Sequence, residues 1–491
     1  MSWDDPTLLT LIAYKLVLLG IGLWANRRID DGSDFLLGGR GLGPMVAAIS
    51  ASASSSSVWT LLGVSGYAFA FGLSALWLFP ACVGGFVLNW FVVAPRLRRA
   101  SAEDGSLSVT EFLAGRHRGP GFARVRIVAS VVLVASLTVY VASQFRGAGV
   151  AFETNFETGF DESVLIGAAV VVVYTLLGGF WAVSLTDTLQ GLLMALTAIA
   201  LPVAAVYELG GLGELSGGLG TVASGQQGYN SLWPSGKSLA PLLTIFTLLA
   251  IAIGYPGQPH VVNRFMALKD ERSMVQAQRI AISWAVIVYA GTLCTGLAAR
   301  ILLDPDGSSY ESLKAASKAG ESVFYLMMDR LFPEVLGAIM LAAVLSAILS
   351  TADSQLLVAS TSLGHDLGLK LPGGPVWTSR FVVLFMSLAA VGIAFVDNEK
   401  LFNSVLFAWS VVGNAFGPLL LVTLWRGPVR PNHALAALLI GALGSALAYQ
   451  FRWDFLGVAI SRGGILERIA PFALSLLVAR AGAVRGLAAK P

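Results

Sequence analysis

Charge is scarce in this sequence. Only 12% of its 491 residues are Asp, Glu, Lys or Arg, while 56% are hydrophobic. An ordinary soluble domain carries about 25% charged residues, so a chain folding as water-soluble domains is excluded. Neither sign dominates: 32 basic against 29 acidic residues leave a net charge of +3. That balance excludes a nucleic-acid-binding surface and an acidic tail. Cysteine is nearly absent, since Cys82 and Cys294 stand alone inside apolar runs. They make no disulfide framework and read as helix packing. The four histidines, His117, His260, His365 and His433, are scattered without ligand spacing, which argues against a membrane enzyme built on a metal centre. Asp4 and Asp5 stand where a secretory leader carries Lys or Arg, so the first apolar run is expected to remain in the protein.

What the sequence has in abundance is long apolar runs. Thirteen segments have the length needed to cross roughly 30 Å of hydrocarbon as helix, near 7–25, 44–72, 75–95, 125–150, 162–179, 187–207, 239–256, 275–301, 333–352, 377–396, 402–425, 433–450 and 465–483. No barrel-like alternation appears. Most basic residues fall in alternate loops: Arg27, Arg28 and Arg40, then Arg96 to Arg126, which includes Arg116 and Arg118, then Arg264 to Arg279, then Lys370 to Arg430, then Arg480, Arg485 and Lys490. Cytoplasmic loops carry such an excess, so the N-terminus is expected outside and the C-terminus in the cytoplasm of a multi-pass inner-membrane protein. An odd number of spans requires the same opposition. The polar stretches 208–238 and 302–324 are too short for a core of their own, and Gly210-Gly211-Leu212-Gly213 reads as a loop. Ser235-Gly236-Lys237-Ser238 has the ending of a phosphate-binding loop, but Ser231 replaces its first glycine and no strand precedes it. Active transport without a nucleotide site needs an ion gradient.

Two spans contain sequences that resist a continuous helix. Ala51-Ser-Ala-Ser-Ser-Ser-Ser57 places hydroxyls in series, and these propagate helix poorly while satisfying backbone groups of an unwound turn. About 200 residues later, Gly254-Tyr-Pro-Gly-Gln-Pro259 combines two prolines with two glycines. Each interruption opens a set of five spans, two to six and seven to eleven, and an odd number per set inverts one set against the other. Paired breaks in inverted halves point to a transporter's central site, where an unwound turn presents free carbonyls and N–H groups at membrane depth. Close helix packing through small residues is the competing account of the serine run. Near the end of the ninth span, Ala347, Ser350 and Thr351 follow i, i+3, i+4 spacing, which aligns a carbonyl and two hydroxyls on one face. Neutral oxygens of this kind suit a monovalent cation that must also leave, whereas Ca²⁺ would call for carboxylates. Back-bonding of Ser350 and Thr351 within their own helix is the simpler alternative.

Four motifs are familiar in this order and spacing: Leu36-Leu-Gly-Gly-Arg-Gly-Leu-Gly43, Ala182-Val-Ser-Leu-Thr-Asp-Thr-Leu-Gln190, Gly257-Gln-Pro-His260 with Arg264-Phe-Met-Ala267, and Leu349-Ser-Thr-Ala-Asp-Ser-Gln-Leu-Leu-Val358. From about residue 8 to about 450 the chain resembles the sodium/solute symporter family, and within it the sodium/proline symporters. The resemblance implies an all-α integral membrane fold of about 13 helices, a LeuT-type 5+5 inverted repeat with extra helices. It would comprise an N-terminal helix and loop (1–43), a first repeat (44–207), an outer loop (208–238), a second repeat (239–425) and C-terminal helices with a tail (426–491). It further implies a co-transported sodium ion on Ala53, Ser56 and Ala347 carbonyls with the Ser350 and Thr351 hydroxyls. Asp187 matches an acidic position tied to sodium coupling, although a carboxylate at the start of the sixth span also suits a helix N-terminus. Substrate positions would be Ser57, Tyr140, Gln144, Tyr255, Gln258 and Pro259.

Two departures stand out. The proline-transporting members carry Asp where this chain has Ser55, which removes a charge near the cation. Asp353, near the predicted end of the ninth span, either compensates or faces water. Those members also carry Trp where this chain has Ile251. Arg146 lies deep in the fourth span, where an arginine is costly unless paired. It is expected to snorkel or to meet Glu153 or Glu157, with a substrate carboxylate as the sharper alternative. The function expected is sodium-coupled symport of a small organic solute, proline or a related amino acid, by alternating access. A monocarboxylate or other solute, and protons in place of sodium, form the second reading. A channel would need a continuous polar path, and no span supplies one. The expected partners are the solute and the lipid bilayer, with no nucleic acid and no evident obligate protein partner.

Overall fold

The computed structural model describes residues 5–26, 36–115, 120–156, 158–177, 179–236, 239–304, 320–372, 374–396, 401–450, 453–455, 458–460 and 464–484. Arg27, Arg28, Arg116, Arg118, Glu157, Lys237, Ser238, Arg485 and Lys490 lie outside the described residues, as does most of the polar stretch 302–324.

Each of the thirteen predicted segments is helical. In chain order the helices are α1 (Pro6–Asn26), α2 (Pro44–Ser55), α3 (Val64–Phe71), α4 (Leu78–Val87), α5 (Ala94–Asp104), α6 (Val109–Gly115), α7 (Pro120–Phe156), α8 (Phe160–Leu177), α9 (Phe180–Glu208) and α10 (Leu212–Gly225). They continue as α11 (Ala240–Leu249), α12 (Pro259–Met266), α13 (Glu271–Leu303), α14 (Val323–Leu331), α15 (Glu334–Thr361), α16 (Pro375–Val396), α17 (Leu401–Arg426), α18 (Pro431–Gln450) and α19 (Ile465–Ala481). The named strands among the described residues are one short hairpin, Trp453–Phe455 with Val458–Ile460.

Several helices outrun the predicted spans, α7, α9, α13 and α15 among them. Among the described residues, ten helical stretches are long and apolar enough to cross a membrane, and one of them, Trp59–Asp104, has 46 residues, enough for two crossings. Gly72 divides it: its φ of 64° is a left-handed turn, and an added Cβ would strike the Tyr229 backbone. The stretch 208–238 is not all loop, because Gly210 and Gly211, with φ of 92° and 118°, turn the chain directly into α10.

The centre of the bundle is made by α15 and α17, whose most apolar windows are 83% and 89% buried, against 22% for α1 at the periphery. Around α15 pack α2, α7, α9 and α1. Beyond Thr361 a wider turn, Ser362–Asp366, prolongs α15 to the end of the bundle occupied by α6. There the Ser108 hydroxyl donates to Asp366 at 2.8 Å, and the His365 ring lies 3.2 Å from the Glu111 carboxylate. Ser108 also accepts from the Glu111 N–H at 2.9 Å while Glu111 accepts from the Leu107 N–H at 2.7 Å, so a reciprocal cap fixes the start of α6.

Candidate functional site

The serine run ends a helix without any glycine or proline. α2 stops at Ser55, and Ser56 takes φ −113°, ψ 76°. In an unbroken helix the Ser54 carbonyl would accept from the N–H of Val58. That N–H turns instead to Gln144 Oε1 of α7 at 3.3 Å. The Ala53 carbonyl takes the Ser56 N–H at 3.1 Å, a tighter turn than the helix it ends. Both carbonyls are therefore open toward α15. The Ser350 hydroxyl donates to Ala53 O at 3.3 Å and to Ala347 O at 3.4 Å, and the Thr351 hydroxyl donates to Ser54 O at 3.2 Å. Back-bonding and the cross-helix contact thus coexist at Ser350, while Thr351 reaches across. Ala53, Ala347, Ser350 and Thr351 are brought together, joined by Ser54, while Ser56 meets the group through its N–H on the Ala53 carbonyl rather than through its own carbonyl contacting α15; all are buried.

Ser55 turns away from this group, because its hydroxyl donates to Ser52 O of its own helix at 2.9 Å. Asp187 is not at a helix start. α9 begins at Phe180, so Asp187 lies two turns inside it and is fully buried, and the helix N-terminus account is set aside. Its Oδ2 receives Ser50 Oγ at 2.7 Å, Ser54 Oγ at 3.1 Å, Ser354 Oγ at 3.4 Å and Arg264 Nη2 at 3.0 Å. Arg264 also donates to Ser50 Oγ at 3.1 Å and Ser354 Oγ at 2.5 Å, and to the His260 carbonyl. It is 0% exposed, and so is not the loop cation that the sequence implied. Asp353 does not face water either: α15 continues to Thr361, and Asp353 is 0% exposed. Isolated charges at this depth are expensive. The Arg264–Asp187 pair survives because four donors converge on one carboxylate oxygen.

The second interruption works differently. Ala250–Gly257 winds tightly, Pro256 lacks an N–H, and Gln258 takes φ −94°, ψ 95° before Pro259 opens α12. Pro259 is placed where its missing N–H costs no helical bond. Gln258 Nε2 donates to Gly254 O at 3.1 Å and Trp409 O at 3.0 Å, while its Oε1 is left without a partner. Tyr255 lies between Trp409, at 4.7 Å between ring centres, and Phe86 at 5.5 Å, with its hydroxyl 3.2 Å from that of Tyr289. Gly85 faces Tyr255 so closely that a Cβ would enter the ring. The indole missing at Ile251 has a neighbour: Trp409 of α17 donates to Ile251 O at 3.4 Å.

Ser57 and Gln144 stand between the two breaks. Ser57 Oγ accepts from Trp59 N–H at 3.2 Å, and Tyr140 lies one turn before Gln144 with its ring 6.1 Å from that of His260 at 90°. Gln144 Nε2 has no partner. Two amide groups, Gln144 Nε2 and Gln258 Oε1, thus keep unused hydrogen-bonding capacity, one donor and one acceptor. Arg146 is partly exposed. The residues missed from sequence were Ser54, Arg264, Ser354, Tyr289 and Trp409. An arginine five residues after Pro259, inside a run with no other charge, was the available signal for Arg264.

Residues 35–441 match the sodium:solute symporter family. The osmoregulated proline transporter OpuE of Bacillus subtilis is 34% identical over 96% of this chain and 93% of its own length. The sodium/proline symporter of Escherichia coli is 33% identical over 92% of this chain and 89% of its own. In three dimensions, a Na+-coupled sialic acid symporter in its substrate-bound outward-open state superposes with a TM-score of 0.76 at 16% identity, covering 98% of each chain. The shared fold is the LeuT-type bundle of inverted five-helix sets.

Proposed function

This chain belongs to the sodium:solute symporter family, and on that premise we propose that its solute is proline or a closely related amino acid. It is a multi-pass membrane protein that couples solute entry to sodium. Relatives named as proline transporters match it over nine-tenths of its length, which supports proline as the first solute to test.

The observation that carries the ion site is the pair of carbonyls, Ala53 O and Ser54 O, opened toward the Ser350 and Thr351 hydroxyls. A sodium ion seated there takes the lone pairs of both hydroxyls, so their hydrogens turn away and the two carbonyls become ligands. That exchange pulls α2 and α15 onto one centre. Asp187 acts one step away: it grips Ser54 by the hydroxyl while Ser54 offers its carbonyl to the ion, so its charge orients the ligand-bearing turn. Four residues beyond Ser54, Val58 is held by Gln144, whose free amide faces the solute wall with Tyr140, Tyr255 and Gln258. Sodium binding therefore fixes the turn that the solute must contact, and solute affinity rises with it.

The N-terminus is placed outside and the C-terminus in the cytoplasm of the cell membrane, on the distribution of arginine and lysine. Spans two to six and seven to eleven form the two repeats. One charge crossing 100 mV contributes about 2.3 kcal/mol and a tenfold gradient about 1.4 kcal/mol, so one sodium sustains an accumulation of roughly a few hundredfold. The test is uptake of radiolabelled proline into proteoliposomes under an imposed sodium gradient, with amino acids and monocarboxylates as competitors. Saturable, sodium-dependent uptake competed by proline is expected. Uptake indifferent to sodium, or competed only by monocarboxylates, overturns the assignment.

A further inference from the structure

Beyond α4 the chain passes through a wide helical turn, Leu88–Val93, in which the Ala94 N–H reaches back five residues to the Asn89 carbonyl. Such turns are frequent at functional sites. Neighbours hold this one in place. Gln278 Nε2 of α13 donates to Trp90 O at 2.9 Å, and the Trp90 ring packs edge-on against Phe265 of α12, with 4.6 Å between ring centres. The Asn89 side chain, only 2% exposed, is thereby brought to the second interruption, where its Nδ2 donates to Tyr255 O at 3.1 Å.

The same carbonyl takes the Gln258 N–H at 3.3 Å, so Asn89 and Gln258 meet on one oxygen. Each is an amide with one end engaged. The nitrogen of Asn89 serves Tyr255 O, and that of Gln258 serves Gly254 O and Trp409 O. Carbonyls accept and cannot donate, so neither amide can be turned end for end. What each retains is a buried oxygen without a partner. Buried acceptors are ordinarily satisfied, and two of them anchored on one carbonyl call for a ligand that brings two donors. Holding Tyr255 in place uses the Asn89 nitrogen alone and gives its oxygen nothing to do.

We propose that Asn89 is a specificity-determining residue for the nitrogen of the solute: Asn89 Oδ1 and Gln258 Oε1 accept the two N–H groups of a secondary ammonium, and Gln144 Nε2, the unpaired donor at the first break, serves the carboxylate. The proposal rests on the amino-acid reading above and names the atoms that select for it. A monocarboxylate of the same shape satisfies Gln144 but has nothing to donate, and it leaves both oxygens buried and unpaired. A site that hydrogen-bonds a substrate N–H rejects the analogue lacking it far more strongly than an apolar pocket rejects a missing methylene.

The experiment measures proline uptake by proteoliposomes carrying the full-length protein at fixed sodium, with cyclopentanecarboxylate as competitor. That compound keeps the ring and the carboxylate and puts a methylene where proline has its nitrogen. The readout is the inhibition constant of the competitor divided by the KM for proline, a ratio independent of how much protein is folded. In the parent it should exceed roughly a hundred. Asn89→Leu should lower it by about tenfold or more while half-saturating sodium moves less than about twofold. Asn89→Asp keeps an oxygen at the site and loses the donor to Tyr255 O, so its ratio should stay within about threefold of the parent. If Asn89 only holds Tyr255, Asn89→Leu raises both constants together and keeps the parental ratio, which overturns the proposal. An Asn89→Asp variant as unselective as Asn89→Leu overturns it too. A parent that takes up no proline, or binds the two compounds alike, overturns the proline reading and this one with it, before any substitution is made.

Discussion

The chain interrupts two helices by different chemistry, and the difference fits the two tasks proposed for them. At the end of α2 the break is made from serines, which keep every N–H and add hydroxyls. The freed carbonyls of Ala53 and Ser54 look onto the hydroxyls of α15, and the result is a ring of oxygen. Between α11 and α12 the break is made from proline and glycine, which remove a donor and admit close packing. Gly257 there lies so near Gly413 that a Cβ would meet its carbonyl, and the side chains left to point inward are Tyr255 and Gln258. One interruption supplies charge-stabilising atoms and the other supplies a shape.

The largest test of this division removes the oxygens. Ser350→Ala with Thr351→Ala deletes two ion-assisted contacts of about 1.5–3 kcal/mol each, so half-saturating sodium for uptake should rise by roughly a hundredfold or more with the protein still in the membrane. Next in size is the buried pair behind the first break. Asp187→Asn leaves Arg264 enclosed without a counter-charge and should cost about 3–5 kcal/mol, seen as a lowered unfolding midpoint in detergent. Replacing both, Asp187→Leu with Arg264→Met, should recover most of that stability without restoring sodium dependence, which would separate folding from coupling.

At the second break the effects are smaller and fall on the solute. Gly85→Ala pushes a methyl into Tyr255 and should cost about 1–3 kcal/mol as overpacking, raising the KM for solute while half-saturating sodium moves less than about twofold. Tyr255→Phe removes one hydrogen bond, that to Tyr289, worth about 0.5–1.5 kcal/mol. A rise of about three- to tenfold in KM, at unchanged sodium dependence, is expected from initial-rate uptake. Equal effects of either substitution on sodium and solute would collapse the distinction between the two breaks.

The spans and both interruptions were legible in the sequence because they are statements about composition: apolar length, a run of hydroxyls, a cluster of proline and glycine. The meeting of Ala53 with Ser350 was legible as a spacing on one helix and a resemblance across two. Depth was not legible. Arg264 sits among loop-like cations in the sequence, yet α12 is a short buried helix that carries it under α9. Asp187 and Asp353 were placed near helix ends because hydropathy falls at polar residues, whereas both helices continue past them. Hydropathy sums over neighbours in the chain, and these three residues take their meaning from neighbours in space.

The length of α15 gives the proposed ion site a mechanical advantage. Fifteen residues separate Thr351 from Asp366, about 22 Å of rod at 1.5 Å a residue. A tilt of roughly five degrees, pivoting where the helix meets α2, would sweep Asp366 through an arc of about 2 Å, beyond what a hydrogen bond tolerates. The latch of Ser108 on Asp366 at 2.8 Å would part while the pivot itself scarcely stirred. A movement smaller than the radius of a proposed cargo ion would thereby be magnified into the parting of a contact at the far end of the bundle.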